Sequence, residues 1–119
     1  VMQRIGIVGA GTMGHGIAQV CAMAGYTVSL TDAHPDAVAV GLGKVAKNLQ
    51  GAVDRDKLTS DARDEALARL TGVATVQEAV SGADLVIEAV PERLDLKRAL
   101  LKTVEAATQS STIFASNTS

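Results

Sequence analysis

RIGIVGAGTMGHGIAQVCAMAGYTVSLTD, residues Arg4 to Asp32, runs from an apolar stretch through a glycine-rich turn and a helical stretch to a second apolar stretch ending on an acid. Ile5, Ile7 and Val8 read as a buried strand, and Gly9, Gly11 and Gly14 follow it directly in G-x-G-x-x-G spacing. Such spacing has a physical use. The first glycine permits a tight reversal, the second lets a pyrophosphate approach the backbone, and the third lets the new helix pack closely on the strand. The loop Gly9, Ala10, Gly11, Thr12, Met13 and Gly14 then presents unpaired amide N–H groups, and the positive end of the helix dipole, to an anion.

Glycine-rich turns are common, so the context decides the reading. A helix from Gly14 to Ala24 carries Ile17, Ala18, Val20, Cys21 and Ala24 at near-helical spacing, and Gly25 stops it. Thr27 to Thr31 has the branched alternation of a buried strand, and Asp32 falls about 20 residues beyond the glycines, where a dinucleotide site wants an acid. A carboxylate there accepts hydrogen bonds from the adenosine ribose and repels a 2′-phosphate, which favours NAD over NADP. The alternative is that Asp32 only caps the turn before Pro35.

Composition narrows the class. With 119 residues, 47% of them hydrophobic, the chain can bury one core but not two full domains. A formal net charge of −2, one Tyr, one Phe and no Trp argue against a nucleic-acid partner, which calls for a basic stripe and stacking rings. A single cysteine rules out an internal disulfide, and Cys21 on the apolar side of the first helix reads as packing rather than a reactive thiol. No signal peptide or membrane span is expected, so the cytoplasm is the default location; no metal site is expected either.

Beyond Asp32, Pro35 starts a helix whose Val38, Leu42, Val45, Leu49 and Val53 recur at helical spacing down to Asp54. Thr59 or Ser60 caps a second helix, with Ala62, Ala66, Leu67 and Leu70 on its apolar side, so a helical hairpin is inserted after the second strand. Gly72 is expected to end the hairpin, Val73 to Thr75 to form a brief strand, and Val76 to Ser81 one or two helical turns. Asp84 to Val90 is the most apolar run and is placed in the middle of the sheet. A helix over Leu94 to Ala107 and a fifth strand over Ser111 to Ala115 complete a Rossmann-like α/β fold, a doubly wound parallel sheet.

GAGTMGHGIAQVCAMAGYTV, LTD, the helical hairpin, DLVIEAVPERLDLKRALL and IFASNTS together resemble the N-terminal NAD-binding domain of the 3-hydroxyacyl-CoA dehydrogenases, bacterial 3-hydroxybutyryl-CoA dehydrogenases included. The resemblance covers the whole chain; EAVPE and ASNTS are more specific than the glycine turn. That turn is also similar to those of 3-hydroxyisobutyrate and 6-phosphogluconate dehydrogenases, which lack the ASNTS signature.

The resemblance implies a set of roles. The glycine loop holds the pyrophosphate and Asp32 the ribose; Ala89, Val90 and Glu92 line the cofactor cleft, with Lys97 reaching back to the cofactor. For Glu92 and Lys97 the plain alternative is a helix-start acid and a solvated lysine. Asn117 lies by the nicotinamide and Ser119 contacts the substrate's 3-oxygen as the one catalytic-site residue present; residues alone would read SNTS as a polar turn. Asn48 and Arg55 on the hairpin match coenzyme A contacts loosely. The implied reaction is oxidation of a (3S)-3-hydroxyacyl-CoA to the 3-ketoacyl-CoA, as in fatty-acid β-oxidation or butanoate metabolism.

Its base is a histidine oriented by a glutamate, expected to follow ASNTS together with a helical domain through which the parent enzyme dimerises. His15 and His34 read as exposed and too far from the nicotinamide to serve. The 119 residues are therefore expected to be an incomplete domain, binding NAD without turning over acyl-CoA and only marginally stable alone. A 3-hydroxyisobutyrate-type fragment and a non-catalytic nucleotide-binding module are the alternatives.

Overall fold

A computed structural model describes residues 3–89 and the backbone of residues 113–116. Val90, Glu92, Lys97, Asn117, Ser119 and the helix expected over Leu94 to Ala107 lie outside the described residues.

Five parallel strands form one sheet in the order β3-β2-β1-β4-β5. In chain order the elements are β1 (Arg4–Val8), α1 (Thr12–Met23), β2 (Thr27–Thr31), α2 (Pro35–Asp54), α3 (Ser60–Arg69), β3 (Leu70–Gly72), α4 (Val76–Val80), β4 (Leu85–Glu88) and β5 (Ile113–Ser116). The order steps outward from β1 in both directions, so the expected doubly wound sheet, with its hairpin after the second strand, is what forms.

Strand parity divides the core between the two faces. Ile5, Ile7, Val28 and Leu30 point to the side covered by α1 and the α2–α3 hairpin, where Ala18, Ala22, Val45, Leu49 and Ala66 meet them. Val8 and Val86 point to the other side, against Ala79 and Val80 of α4. Cys21 is half-buried against the first cluster, and burial pushes its thiol above the ordinary value, which suits packing rather than reactivity.

Four expectations are corrected by the packing. Helix α1 begins at Thr12 rather than Gly14, and its buried side runs through Gly14, His15, Ala18 and Ala22, leaving Val20 66% exposed and Ala24 outside the core. The third strand is Leu70–Gly72 rather than Val73 to Thr75, because Leu70, Thr71 and Gly72 pair with Val28, Ser29 and Leu30 as soon as α3 ends. Gly72 is therefore a strand residue under α2: a Cβ there would stand 2.7 Å from Val38 Cγ1 and 2.9 Å from Leu42 Cδ1. Strand β4 is interior, but β1 holds the centre with two strands on either side.

The capping residue of α3 is Thr59, whose hydroxyl accepts the Ala62 N–H at 3.1 Å. Two polar ties join elements distant in the chain. Arg69, at the end of the hairpin, donates to the Ala22 carbonyl at the C-terminus of α1, where a cation suits the dipole. Before β4, Asp84 Oδ2 accepts the Gln3 and Arg4 N–H groups at 2.8 and 3.0 Å, and those bonds hold the Asp84 carboxyl below the usual carboxylate range.

Candidate functional site

Strands β1, β2 and β4 end together at Val8, Thr31 and Glu88, which are neighbours in register. The ladder carries on past each end: Gly9 N–H donates to Thr31 O and Ala89 N–H to Val8 O, both at 2.8 Å. Gly9 then turns the chain at φ +112°, a conformation that disfavours any residue with a Cβ. Gly14 lies so close beneath the loop that a Cβ would fall 1.6 Å from the Gly9 carbonyl oxygen; Ala89 stands 3.7 Å from the same point.

The loop sorts itself into supports and a surface. Gly9, Ala10 and Gly14 are buried, while Gly11, Thr12 and Met13 are exposed. Gly11 is the N-cap of α1, and a Cβ built there would meet no atom of the described residues within 4 Å, so among them the space in front of it is open. No side chain caps α1 and no acid lies in its first turn. Among the described helices this is unique: α3 and α4 are capped by Thr59 and Thr75, and α2 has Asp36 in its first turn. The positive end of α1, with the unpaired N–H groups of a helix start, is left facing open space, and an anion such as pyrophosphate fits both.

Asp32, at the end of β2, takes part in both readings offered for it. Its Oδ1 accepts the His34 N–H at 2.9 Å and so caps the turn before Pro35, while Oδ2 accepts the Ala10 N–H at 2.8 Å and ties the turn to the glycine loop. Each carboxylate oxygen keeps acceptor capacity beyond these bonds. A recess of about 250 Å³ adjoins it, walled by Pro35, Val38, Leu42, Gly72 and Val73. Next to Asp32, the Thr31 hydroxyl is buried with no hydrogen-bond partner among the described residues.

The loop, Asp32 and Ala89 thus come together at one edge of the sheet. Asn48 and Arg55 do not join them. They line a separate depression with Gln19 and Lys47, and the Asn48 amide donates to Gln19 Oε1 at 3.1 Å. Gln19 is seven residues into α1 from Thr12, about 10 Å along the helix axis.

His34 is exposed at the N-cap of α2, as expected, but His15 is not. Only 8% of its surface is accessible, and its Nδ1 lies 2.7 Å from the Gly11 carbonyl oxygen. A signal for this is present in the sequence: His15, Ala18 and Ala22 share one helical face by spacing alone. Neither the Ala10–Asp32 bond nor the Asp84 tie carries any sequence signal, since both join residues distant in the chain.

No described helix is long and apolar enough to cross a membrane. The profile of the family described as "3-hydroxyacyl-CoA dehydrogenase, NAD binding domain" matches residues 4–119. A 3-hydroxybutyryl-CoA dehydrogenase of Bradyrhizobium diazoefficiens is 34% identical over 119 residues, which is all of this chain and 40% of that protein. A 3-hydroxyadipyl-CoA dehydrogenase of Escherichia coli is 37% identical over 118 residues, 99% of this chain and 25% of that one. Among solved structures, (S)-3-hydroxybutyryl-CoA dehydrogenase from Ralstonia eutropha superposes with a TM-score of 0.93 at 41% identity, covering 100% of this chain and 42% of that one. This chain thus spans well under half the length of the relatives it matches. Profile, identity and superposition agree with the loop geometry, and the chain belongs to the family of 3-hydroxyacyl-CoA dehydrogenase NAD-binding domains.

Proposed function

We propose that these 119 residues are the NAD-binding part of a (3S)-3-hydroxyacyl-CoA dehydrogenase. The observation that carries the reading is α1 itself, a helix whose start is uncapped, free of acids and fronted by open space, tied through Ala10 to an acid at the end of β2. NAD, when bound, supplies the acceptor for the hydride leaving C3 of the hydroxyacyl group. The chain's own part is to bind and orient: the Gly11 to Met13 N–H groups hold the pyrophosphate, and the spare acceptor capacity of Asp32 takes the ribose hydroxyls while repelling a 2′-phosphate.

Val90, Glu92, Lys97 and Asn117 belong to this reading as further cofactor contacts, and Ser119 as the contact to the substrate's 3-oxygen. Asn117 follows Ser116, where β5 ends beside Glu88 on the edge that carries the loop. The acyl-CoA substrate is supported by the names of the relatives. Its CoA portion is assigned to the polar depression between α1 and α2, where Lys47, Asn48 and Arg55 offer two cations and an amide. The hydroxyl proton needs a base. His15 is engaged within α1 and His34 is exposed at the start of α2, on the Asp32 side of the turn, so neither is given the role; the reading assigns it to a histidine paired with a carboxylate beyond Ser119, followed by a helical domain through which the enzyme dimerises in the cytoplasm. With the family established, the 3-hydroxyisobutyrate-type alternative is dropped.

Calorimetric titration with NADH and NADPH tests the reading on the protein and on Gly11→Val. A Cβ at Gly11 meets no described atom within 4 Å, so the expected loss of NADH binding by Gly11→Val, with the fold checked by circular dichroism, reports on the ligand. Tighter NADH than NADPH binding is expected for the protein; equal binding would sink the role given to Asp32, and intact NADH binding by Gly11→Val would sink the glycine-loop assignment.

A further inference from the structure

We propose that His15 is a positioning residue for the dinucleotide loop, acting through the Gly11–Thr12 peptide; the proposal rests on the loop reading given above. The Gly11 carbonyl oxygen is held twice by the same residue. The His15 backbone N–H reaches it at 3.0 Å in the ordinary helical pattern, and His15 Nδ1 reaches it at 2.7 Å. A carbonyl can only accept, so Nδ1 is the donor, and a neutral ring must carry its proton there. Both lone pairs of the oxygen are then used.

A trans peptide holds its C=O and N–H in opposite directions, and no described peptide is cis. Clamping the Gly11 carbonyl into the helix therefore aims the Thr12 N–H out of it, into the open space before Gly11 where the pyrophosphate is placed. Bonds accepted on one side of a peptide also polarise the N–H on the other, strengthening it as a donor. The side chain is largely buried, with 8% of the residue accessible, and helix α2 seats Gly41 against its base and the loop: a Cβ on Gly41 would lie 3.2 Å from His15 Cβ and 2.9 Å from the Ala10 oxygen. The nucleotide loop, the first turn of α1 and the hairpin are thus joined at one buried side chain.

This arrangement differs from a packing role in which ligands it affects. A histidine that only fills space between α1 and α2 would, when removed, weaken every ligand alike. One that aims the Thr12 N–H affects only ligands carrying the pyrophosphate. NADH, ADP-ribose and adenosine are titrated against the protein, His15→Ala and His15→Asn; the asparagine Nδ2 is bonded to Cγ as the histidine Nδ1 is, and can make the same bond.

His15→Ala is expected to lose roughly three- to tenfold in affinity for NADH and ADP-ribose, the worth of about one net hydrogen bond, with adenosine unchanged. His15→Asn is expected to restore both to within about twofold. Equal losses for all three ligands, or no loss, overturns the proposal. If His15→Ala does not fold, His15→Asn and His15→Gln decide: affinity kept by Asn and lost by Gln, whose amide lies one carbon farther out, supports it, and equal affinities overturn it. A protein that binds neither NADH nor ADP-ribose overturns the cofactor reading itself, which is a separate result.

Discussion

Thr31 and Asp32 are consecutive, polar and at the end of the same strand, yet their situations are opposite. The Asp32 carboxylate accepts two backbone N–H groups, whereas the Thr31 hydroxyl is buried in the sheet beside Val8 with no partner among the described residues. A buried polar group left unpaired costs about 1–3 kcal/mol, and replacing it with an apolar group of the same shape removes that cost. Thr31→Val is therefore expected to stabilise the protein by about 1 kcal/mol, read as a rise of a few degrees in the thermal midpoint. A midpoint that stays or falls would mean that the hydroxyl finds a partner in solution. Sequence showed Asp32 as an acid at the right spacing and offered two roles for it; only the folded neighbours show that it fills the turn-capping role while also holding Ala10. His15 was misjudged for a similar reason. Its partner, the carbonyl one helical turn back, becomes a partner only once α2 has shut out the water that would otherwise satisfy the ring.

Glycine was an uneven guide to where helices end: Gly25 closes α1, Gly72 does not close the hairpin because it lies in β3, and α2 stops at Asp54, as its spacing predicts, with no glycine there. Helix α1 ends with Gly25 at φ +104°, its N–H bonded to Ala22 O and the Tyr26 N–H to Cys21 O, an end that a glycine announces. Helix α2 ends in the same pattern, with the Asp56 N–H on Val53 O and the Lys57 N–H on Ala52 O, but here Asp56 occupies the left-handed position at φ +57°. Asp tolerates that region better than most residues and less well than glycine. Asp56→Gly is expected to gain about 0.5–1 kcal/mol, seen as a higher urea midpoint at unchanged slope; a loss would mean that the flexibility added to the unfolded chain outweighs the relieved strain. The elements themselves were readable throughout α1, α2 and α3 because each carries apolar residues at helical spacing. The third strand was not, since three residues have no periodicity to read and Leu70–Gly72 is a strand only because β2 pairs with it.

Across the whole molecule, one binding event should be visible as stability. A ligand that binds only the folded chain at a hundred times its Kd adds about 2.7 kcal/mol, so saturating NADH is expected to raise the thermal midpoint by several degrees while the 119 residues alone turn over no 3-hydroxyacyl-CoA. Turnover by these residues alone would show that the base lies within them. Sequence by itself determined the class of fold, the glycine-rich turn between β1 and α1 and the family, because those rest on local patterns: strand, glycines at fixed spacing, helix, strand and acid. Only the tertiary structure decided that β1 is the central strand, that Ala10 and Asp32 are bonded, that His15 is buried on the Gly11 carbonyl, and that Asn48 and Arg55 lie apart from the loop. Each of these depends on residues far apart in the chain meeting where water has been excluded, and spacing along a chain carries no record of such meetings.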